Sequence, residues 1–538
     1  MELKLESLKE KKVWEEAGFS LPQFDLDKVS ENTSKAPNWI HFGAGNIFRA
    51  FLANVQQNIL NEGKSDRGII AVGGNSIKSV YHEHDNLTVL VTLKVDGSIE
   101  KRVIGSVTEA IVLDASNESY WNRLKEIFRN PSLQMVSFTI TEKGYKLTDS
   151  QGEYLADVRE DFKNGLESPR SYLGKVVSLL YERYLAGKHP IALVSMDNMS
   201  QNGSKLYESV STYVSEWTER GLVEQGFKAY VDDRNSVSFP WSMIDKITPR
   251  PDPAVKEMLR EAGFKDVEDK ITENKGYAAP FVNAEELEYL VIEDDFPNGR
   301  PNLEEGGVIF TDRETVDKVE KMKVGTCLNP LHTALAIFGC LLGFDLISKE
   351  MADPDLRRLV EKIGYEEAFP VVVNPGILDP KEFIDEVLNI RFPNPFMPDT
   401  PQRIATDTSQ KLGIRFGETI KAYISREDLD VKDLKFIPLV LAAWCRYLMG
   451  IDDKGEKMEL SPDPLLEELL PHLEGISLGD RGPFHEQLKP VLSNANIFGI
   501  DLYEAGLGEK VEGYFEELVA EEGAVRKTLQ KYLHLTDL

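Results

Sequence analysis

A strand, a glycine turn, a helix and a second strand follow one another between residues 39 and 74. Trp39-Ile40-His41-Phe42 is a short apolar run, and Gly43-Ala44-Gly45 interrupts it. Apolar residues then recur at helical spacing from Ile47 to Leu60, and a second apolar run, Gly68–Val72, leads into Gly73-Gly74. This order is one βαβ unit, in which a crossover helix joins two parallel strands. The unit restricts this region to a sheet flanked by helices.

The same alternation continues along the chain. Apolar runs predict strands and amphipathic stretches predict helices; the strands are 87–93, 102–104, 135–140 and 191–194, and the helices are 120–129 and 171–186. Such alternation is typical of a mostly parallel sheet covered by helices. We therefore predict a short N-terminal arm over residues 1–36 and an α/β domain over residues 37–302. The segment 250–300 of that domain reads as rich in loops.

Beyond about residue 303 the pattern becomes helical. A period of 3.6 residues recurs in the stretches 316–322, 331–344, 354–364, 381–390, 400–412, 416–425, 436–449 and 514–532. A mostly α-helical C-terminal domain over residues 303–538 is the simplest interpretation. The predicted fold class is therefore α/β, with an α/β N-terminal domain and a helical C-terminal domain.

Charge and composition exclude several classes of function. The 538 residues include 62 Lys and Arg against 90 Asp and Glu, a formal net charge of −28. Such a surface repels phosphate backbones and anionic lipids, so we expect neither a nucleic-acid nor a membrane partner. The first 19 residues are charged and lack a signal-peptide core, which favours a cytoplasmic location. Three scattered cysteines, Cys327, Cys340 and Cys445, favour neither a disulfide framework nor a Cys-rich zinc site.

The glycine turn has the spacing of a dinucleotide-binding fingerprint. In Gly43-x-Gly45-x-x-Phe48 the first glycine permits a tight turn and the second allows close approach of a pyrophosphate. The start of the following helix supplies amide donors. Phe48 stands where the fingerprint has a third glycine, and an ordinary strand-end turn is the alternative. The predicted cofactor-binding residues are Gly43, Ala44, Gly45, Asn46, Ile47, Phe48 and Asn75.

The end of the second strand bears on the choice of cofactor. A carboxylate there holds the ribose 2′-hydroxyl of NAD, and an arginine there accommodates the 2′-phosphate of NADP. Residues 72–76 read Val-Gly-Gly-Asn-Ser and contain neither. The stretch therefore leaves NAD and NADP open.

Two polar segments of the α/β domain are candidates for a site. Residues 194–203 run from a strand into a polar loop, which places Asn198 at the carboxyl edge of the sheet, where ligands bind in such folds. An Asx-turn loop is the alternative. Residues 239–249 contain Asp245-Lys246 in an apolar run, either a buried polar pair or the polar face of an edge strand.

Two segments of the helical domain are further candidates. In residues 320–332, Asn329-Pro330 has the chemistry of a helix N-cap, and His332 follows one turn later. Glu320 and Lys323 share a helix face, although in most helices such a pair is only solvated. Arg391 precedes Phe-Pro-Asn-Pro, and an arginine suits carboxylate capture, the alternative being a structural role in that loop. The alternative role for His332 is that of a histidine packed in the core.

Together these segments resemble the mannitol dehydrogenase family of long-chain, zinc-independent polyol dehydrogenases. The matching segments are HFGAGNIFRAF at 41–51, SFTITEKGY at 137–145, SMDNMSQNG at 195–203, FPWSMIDKITP at 239–249, VIEDDFPNGRP at 291–301, EKMKVGTCLNPLH at 320–332, RFPNP at 391–395 and TSQKLGIR at 408–415. The resemblance implies a Rossmann-type N-terminal domain, a helical C-terminal domain, NAD as cofactor and no metal.

The resemblance also implies roles for individual residues. Lys323 matches the catalytic general acid/base, and Glu320 its proton-relay partner. Asn198 and Asn329 match the amides that hold the reacting oxygen, and His332 matches the histidine that contacts substrate. The predicted substrate-binding residues are Arg391, Asp245, Lys246 and Lys411, with Lys246 standing where the family has arginine.

One spacing departs from the family pattern. The family has five positions from the lysine to the asparagine, whereas Lys323 and Asn329 are six apart, and Val324 occupies the five-residue position. One additional residue turns a continuous α-helix by about 100°. Gly325 and the predicted cap at Asn329 favour an interrupted helix, in which a loop absorbs the additional residue. Lys321 is the alternative base.

The resemblance implies an NAD-dependent oxidoreductase that reduces a keto-hexuronate, first of all D-fructuronate to D-mannonate. A tagaturonate reductase and a mannitol 2-dehydrogenase are the alternatives within the family. Outside it, a non-catalytic NADH sensor and an isomerase that uses NAD transiently stay open. The expected partner is a small sugar acid, and the oligomeric state is open.

Overall fold

The computed structural model describes residues 1–271 and 277–535. The chain divides into two compact units. The N-terminal unit comprises Met1–Lys94 and Ser98–Asp317, and the C-terminal unit comprises Val95–Gly97 and Lys318–Leu538. Part of the predicted loop-rich segment, residues 272–276, lies outside the described residues.

The strands of the described chain all belong to the N-terminal unit. In chain order they are β1 (Phe19–Ser20), β2 (Trp39–Phe42), β3 (Ile69–Gly73), β4 (Thr88–Leu93), β5 (Ile99–Ile104), β6 (Val107–Val112), β7 (Met135–Phe138), β8 (Ile191–Ser195), β9 (Val237–Ser238), β10 (Ser242–Asp245), β11 (Lys270–Ile271), β12 (Tyr277–Ala278), β13 (Phe281–Glu285), β14 (Tyr289–Glu293) and β15 (Ile309–Thr311).

The main sheet has the strand order of a dinucleotide-binding domain. Its order is β6-β3-β2-β7-β8-β9, and every neighbouring pair is parallel. In order along the chain this is 3-2-1-4-5-6, the order in which the carboxyl ends of the strands hold a dinucleotide at the point where the order reverses. The predicted Rossmann-type fold of the N-terminal domain is confirmed.

Both faces of the main sheet are buried, which explains the continuous apolar runs of its strands. Ile40 and Phe42 of β2 pack in a core with the helices of one face, whereas Trp39 packs in a second core on the other face. The helices of this unit are α1 (Lys11–Glu16), α2 (Leu26–Lys35), α3 (Ala53–Asn61), α4 (Ser76–Val80), α5 (Glu118–Arg129), α6 (Thr141–Tyr145), α7 (Ala156–Asn164), α8 (Tyr172–Leu185), α9 (Asn202–Glu219), α10 (Gln225–Asp232) and α11 (Pro253–Glu261).

Two predicted strands belong to a different sheet. The runs 87–93 and 102–104 form β4 and β5, an antiparallel pair in a sheet of order β1-β5-β4-β13. The physical reason is the short connection: Lys94 N donates to Ser98 O, and such a hairpin can join only antiparallel strands. The sequence pattern missed β6, which is the third strand of the main sheet in chain order and lies at one edge of that sheet. It also missed β13 and β14, which lie in the predicted loop-rich segment.

The C-terminal unit is helical in the part of the chain that the structure describes, as predicted. Its helices are α12 (Arg313–Met322, whose first turn counts with the N-terminal unit), α13 (Asn329–Leu342), α14 (Ile347–Ala352), α15 (Pro354–Glu361), α16 (Pro380–Glu386), α17 (Pro401–Ile404), α18 (Glu418–Ser425), α19 (Phe436–Tyr447), α20 (Leu466–Leu473), α21 (His485–Leu492), α22 (Ala495–Phe498), α23 (Gly508–Leu518) and α24 (Ala524–Leu535).

Two long apolar helices, α13 and α19, are buried at nearly every position. The helical stretch 313–342 has the length and composition of a membrane span, but 78% of its most apolar part is buried, as in a core helix. The buried Glu367 carboxylate accepts hydrogen bonds from the amides of Lys435, Phe436 and Ile437, at 2.6 to 2.7 Å. Glu367 thus satisfies the amides at the start of α19.

Several π-helical turns interrupt the α-helices. They are Phe48–Leu52, Lys323–Cys327, Lys362–Ala368, Val387–Arg391 and Gly413–Gly417. Such turns are rare and occur frequently at functional sites. The first two begin at predicted site residues, Phe48 and Lys323, and the fourth ends at another, Arg391. Short 3₁₀ turns occupy Ser7–Lys9, His82–His84, Leu303–Gly306, Phe369–Val371, Thr408–Gln410 and Val431–Asp433.

Candidate functional site

The glycine turn after β2 can be formed only by glycine at its first position. Gly43 has a φ of +94°, and a Cβ there would lie 2.0 Å from the carbonyl oxygen of Thr139. Its amide donates to the Val72 carbonyl at 2.9 Å, which ties the turn to β3. At Gly45, by contrast, the nearest atom to a Cβ would be 4.0 Å away, so the space beside this exposed residue is open. The turn therefore fits a pyrophosphate at the head of the following helix.

Two buried side chains hold this turn in place. The Tyr81 hydroxyl donates to the Ala44 carbonyl at 2.9 Å. Arg49 donates to Oδ1 of Asn46 at 3.0 Å and to the carbonyl of Ala279 at 2.7 Å. Sequence reasoning missed both residues, although an arginine within the apolar pattern at 47–52 was a usable signal.

Phe48 replaces the third glycine of the fingerprint and packs on His41. The two rings are stacked, with centroids 4.2 Å apart. His41 Nε2 is 2.8 Å from Oγ1 of Thr139, and this hydroxyl donates to the Gly43 carbonyl, so Nε2 carries a hydrogen and donates. Burial lowers the pKa of His41 to about 3, which keeps the imidazole neutral. At the position where the fingerprint has a glycine for close packing of helix and strand, this chain therefore has an aromatic stack and the start of a π-helical turn.

The remaining predicted cofactor residues follow the same helix and β3. Ile47 is half-buried in the first turn of the helix. Asn75 is exposed just beyond the carboxyl end of β3, immediately before α4. This position is where a Rossmann domain contacts the adenosine ribose.

Asn198 is exposed in the loop after β8, at the carboxyl edge of the main sheet. Its neighbour Asp197 holds this loop to the one after β7. The Asp197 carboxylate accepts from the amides of Ile140 and Thr141, at 2.9 and 3.0 Å, and from the Tyr145 hydroxyl at 2.6 Å. Burial raises the pKa of Asp197, although these hydrogen bonds oppose the rise. We refer to these contacts as the Asp197 latch.

The buried Asn202 connects the Asn198 loop to β10. Its side-chain amide donates to the carbonyls of Ser195 and Asp197, at 3.1 Å each, and its Oδ1 accepts from the amide of Ser242 at 3.0 Å. Neither Asp197 nor Asn202 was predicted as a site residue, although both lie in the matching segment 195–203.

Asp245 is the last residue of β10, an edge strand of the sheet β10-β14-β15, and Lys246 follows it. Asp245 is buried, with 7% of its surface exposed. It is therefore both a buried polar residue and part of an edge strand. Lys246 forms an ion pair with Glu288 at 2.7 Å. It also lines a cavity of about 520 Å³ together with Arg102, Asn54 and Asn58.

In the C-terminal unit a π-helical turn takes up the additional residue between Lys323 and Asn329. The amide of Leu328 donates to the carbonyl of Lys323, five residues earlier, at 3.1 Å. The α-helix is therefore interrupted, as predicted, but by this π-helical turn and by Leu328, whose φ of −130° and ψ of −64° are not helical, rather than by a longer loop. A π-helical turn holds one residue more than an α-helical turn. It can therefore take up an added residue with little rotation between the helical segments on its two sides. This turn therefore offsets the rotation that the additional residue would otherwise cause between Lys323 and Asn329.

The burial of the two candidate lysines differs. Lys323 is 4% exposed, whereas Lys321 is exposed. Glu320 lies three residues before Lys323, on the last turn of α12, and is half-buried. Burial therefore favours Lys323 over Lys321 as a residue that acts on a bound ligand.

Asn329 is the first residue of α13, and the predicted cap is wrong. Leu328 occupies the cap position, and no side chain caps the helix. Leu328, with a φ of −130° and a ψ of −64°, separates the preceding π-helical turn from α13. Within residues 1–271 and 277–535, Oδ1 of Asn329 is buried and has no hydrogen-bond partner.

His332, one turn along α13, lies among charged groups. Its Nε2 is 3.5 Å from a carboxylate oxygen of Asp399, and its ring packs against Phe392. Burial lowers the pKa of His332 to about 4; Asp399 opposes this effect and nearby arginines add to it. His332 is therefore neutral at pH 7.

Basic side chains lie near His332, and we call Arg391, Arg403, Lys411 and Arg415 the basic cluster. The three arginines lower the pKa of His332, and Lys411 lies near Arg415 and Arg403. Arg391 is buried at the end of its π-helical turn. Arg403 is paired with Asp399. Lys411 donates to the Thr406 carbonyl at 2.5 Å, and Arg415 to Oγ1 of Thr333 at 2.5 Å. The structure thus brings together the predicted residues His332, Arg391 and Lys411, and adds Arg403 and Arg415, which sequence reasoning missed.

The side chains do not form a metal centre in the described part of the chain. Over residues 1–271 and 277–535, no group of three or more His, Cys, Asp or Glu side chains is arranged to hold a metal ion.

Comparison with known proteins gives matches over nearly the whole chain. The family model of the mannitol dehydrogenase Rossmann domain matches residues 37–305, and that of the mannitol dehydrogenase C-terminal domain matches residues 315–519. The chain is 55% identical to D-mannonate oxidoreductase from Thermotoga maritima, over 100% of both chains.

Two solved structures are similar in fold. The substrate-free structure of a D-sorbitol dehydrogenase superimposes with a TM-score of 0.78 at 25% identity, covering 95% of this chain and 97% of that one. Pseudomonas fluorescens mannitol 2-dehydrogenase, in a ternary complex with NAD and D-mannitol, gives a TM-score of 0.68 at 26% identity, covering 99% and 100%.

Proposed function

This chain belongs to the mannitol dehydrogenase family, and we propose that it catalyses the reversible reduction of D-fructuronate to D-mannonate with NADH. Membership makes it an NAD-dependent oxidoreductase that acts on CH–OH groups. The substrate in this proposal comes from the relative named D-mannonate oxidoreductase, whose identity of 55% is far above the 26% of the mannitol 2-dehydrogenase.

The basic cluster around His332 is the observation that carries the proposed substrate. A keto-hexuronate differs from a neutral ketose by one carboxylate. Arginine binds a carboxylate through two parallel hydrogen bonds, and it does so best where water is excluded. Arg391 is 3% exposed, and Arg415 lies on a turn nearby. Such a cluster suits a sugar acid better than a polyol without charge.

We assign the proton transfer to Lys323. When bound at the glycine turn, the nicotinamide cofactor supplies a hydride to the ketone carbon. The ammonium of Lys323 gives a proton to the oxygen as negative charge develops on it, and the side-chain amides of Asn198 and Asn329 donate hydrogen bonds to that oxygen. Glu320 is the relay partner of Lys323, and neutral His332 positions a hydroxyl of the substrate. Asp245 and Lys246 keep the substrate-binding role that the resemblance implies.

The test follows NADH oxidation by absorbance with D-fructuronate, D-tagaturonate and D-fructose, with NADPH in parallel. We expect D-fructuronate to give the highest kcat/KM. The Lys323→Ala variant should lose about 10²- to 10⁴-fold in kcat, the range for a general acid. Its affinity for NADH, measured by fluorescence titration, should stay within about twofold, because the glycine turn belongs to the other unit.

Lys321→Ala is the matched control, since it removes an exposed lysine two residues away. It should keep its kcat within about threefold. Turnover that survives in Lys323→Ala and fails in Lys321→Ala would reassign the base. If NADH is bound but none of the three ketoses is reduced, the chain is a sensor or an isomerase, and the proposal is wrong.

A further inference from the structure

Arg415 differs from the other members of the basic cluster in its partners. Its Nη1 donates to the neutral hydroxyl of Thr333, and no carboxylate forms an ion pair with it among the described residues. Arg403, by comparison, is neutralised by Asp399. Burial lowers the pKa of Arg415 to about 10. A partly buried guanidinium without a counter-charge is costly, and an anionic ligand beside it removes that cost.

The position of Arg415 is fixed by two glycines on its turn. A Cβ on Gly417 would lie 2.0 Å from the Phe498 carbonyl oxygen, and one on Gly413 would lie 3.1 Å from the Gly499 amide nitrogen. The glycine side of the turn is therefore pressed against the backbone at 497–499. Arg415 lies half a turn away from both glycines and reaches α13, as its bond to Thr333 requires.

The surroundings of Arg415 are those of the proposed reaction site. Thr333 follows His332 directly and lies one turn beyond Asn329 on α13. The turn that carries Arg415 also packs against the π-helical turn that begins at Lys323. A guanidinium in this place has the geometry to bind two oxygens of one anion.

We propose that Arg415 binds the carboxylate of the sugar-acid substrate and thereby selects sugar acids over neutral sugars. This inference rests on the proposed function for the reaction itself. Carboxylate and phosphate offer similar oxygens to a guanidinium, and the position beside His332 and the Lys323 turn favours the substrate carboxylate. The cofactor pyrophosphate has its own fitting turn at Gly43–Gly45, in the N-terminal unit.

The test compares Arg415→Met with wild type on a matched pair of ketoses. D-Fructuronate and D-fructose differ only at C6, a carboxylate against a hydroxymethyl group. We expect Arg415→Met to lose about 100-fold in kcat/KM for D-fructuronate and less than about threefold for D-fructose. Arg415→Lys should lie between the two, because it keeps the charge but not the two-pronged geometry.

Two binding measurements do not depend on turnover. In the presence of NADH, with which D-mannonate cannot react, D-mannonate should raise the Tm of wild type more than D-mannitol does, and this difference should vanish in Arg415→Met. The Kd for NADH should be unchanged in the variant. Arg426→Met is the control for loss of one positive charge in the same unit, because Arg426 is exposed and paired with Asp428. It should match wild type in every measurement.

The remaining results bear on the inference or on the function on which it rests. An equal loss with both ketoses in Arg415→Met assigns Arg415 a structural role. A weakened Kd for NADH with an unchanged preference for D-fructuronate assigns it to a phosphate. If wild type fails to reduce D-fructuronate, the proposed function fails; Arg415 is then tested by the Tm shifts alone. A sugar-acid shift that depends on Arg415 supports the inference, and equal shifts by D-mannonate and D-mannitol reject it.

Discussion

The glycine turn of the N-terminal unit and the basic cluster of the C-terminal unit prepare for their ligands in different ways. The turn relies on backbone geometry: Gly43 has a positive φ, and amides at the start of a helix are left for a ligand. The cluster relies on side-chain charges, of which Arg391 and Arg415 are presented by π-helical turns. The first arrangement depends on single residues, whereas the second depends on the register of several helices. Changes of length should therefore damage the cluster, and changes of a single Cβ should damage the turn.

The largest effect is expected from changing the length of the π-helical turn at Lys323. Insertion of one alanine after Val324 turns Lys323 by about 100° relative to α13, and kcat with D-fructuronate should fall about 10³-fold. Deletion of Gly325 should instead convert the turn to regular α-helix and keep kcat within about tenfold. Steady-state kinetics and NADH fluorescence titration measure both variants, and the affinity for NADH should be unchanged in each.

The contrast between insertion and deletion is the informative part. If both variants lose activity equally, the π-helical turn does more than restore register. If both remain active, the orientation of Lys323 does not limit the reaction.

The second prediction applies to the glycine turn. Gly45→Ala places a Cβ 4.0 Å from the nearest atom, so the Tm should stay within about 1 °C, while the Kd for NADH should rise about tenfold or more. Gly43→Ala forces a Cβ against the Thr139 carbonyl at a positive φ, so it should lower the Tm strongly as well. Thermal unfolding and fluorescence titration separate the two effects.

Gly74→Ala is the control for these substitutions, because no atom lies within 4 Å of a Cβ there. It should leave the Tm unchanged. A normal Kd for NADH in Gly45→Ala would show that the backbone at this position does not approach the cofactor.

The fold was predictable where one residue or one local period determines the structure. The βαβ unit around Gly43-Ala44-Gly45 and the helical C-terminal half were predicted and are confirmed. The sheet to which a strand belongs could not be predicted from the residues of that strand alone. β4 is buried and mostly apolar like β2, and only its short hairpin to β5 directs it to another sheet.

The candidate site was predictable in its members more than in its geometry. His332, Arg391 and Lys411 were predicted separately; Arg391 lies near the His332 imidazole, and Lys411 lies near Arg403 and Arg415, which also act on that imidazole. The π-helical turn after Lys323 was not predictable, because its residues have no propensity that distinguishes it from an α-helix or a loop. Arg415 was missed because the reason to single it out is that no carboxylate pairs with it in the described structure. Spacing along the chain does not reveal which side chains pair.

The two units also differ in the hydrogen-bond partners of their buried ionisable groups. His41 in the N-terminal unit is buried, but both ring nitrogens have hydroxyl partners. Glu350 in the C-terminal unit is fully buried, and both of its carboxyl oxygens are without a hydrogen-bond partner in the described structure. Burial, with Asp353 adding, raises the pKa of Glu350 well above its ordinary value.

The third prediction follows from this raised pKa. The folded state holds the Glu350 proton more tightly than the unfolded state, so this contribution to stability is present at low pH and is lost as pH rises from about 4.5 toward the folded pKa. Glu350→Gln removes the dependence. Relative to wild type, the variant should gain up to about 1.4 kcal/mol in the free energy of unfolding per pH unit over that range.

Urea unfolding at several pH values measures the gain. Glu366→Gln gives the baseline for loss of an exposed carboxylate in an ion pair, here with Lys362. A constant difference between Glu350→Gln and wild type from pH 5 to pH 8 would contradict the prediction.

The smallest effect is expected at His332. Among the arginines that lower its pKa, Arg415 contributes most, so Arg415→Met should raise the pKa of His332 from its value of about 4 by up to about one unit. Histidine-labelled NMR titration, with His332→Gln for assignment, measures this change. The pKa of His41 is lowered by burial, so it should be the same in both proteins. An unchanged His332 would place Arg415 too far away to act on a ligand beside it.

The Asp197 latch has a thermodynamic consequence for the loop that carries Asn198. Three hydrogen bonds from Ile140, Thr141 and Tyr145 restrict this loop through contacts of the chain itself. The conformational entropy of the loop is therefore lost when the protein folds and not when a ligand arrives. In the proposed reaction Asn198 meets its ligand on a loop that is already ordered, so an association there loses less entropy than one that must first order a flexible segment.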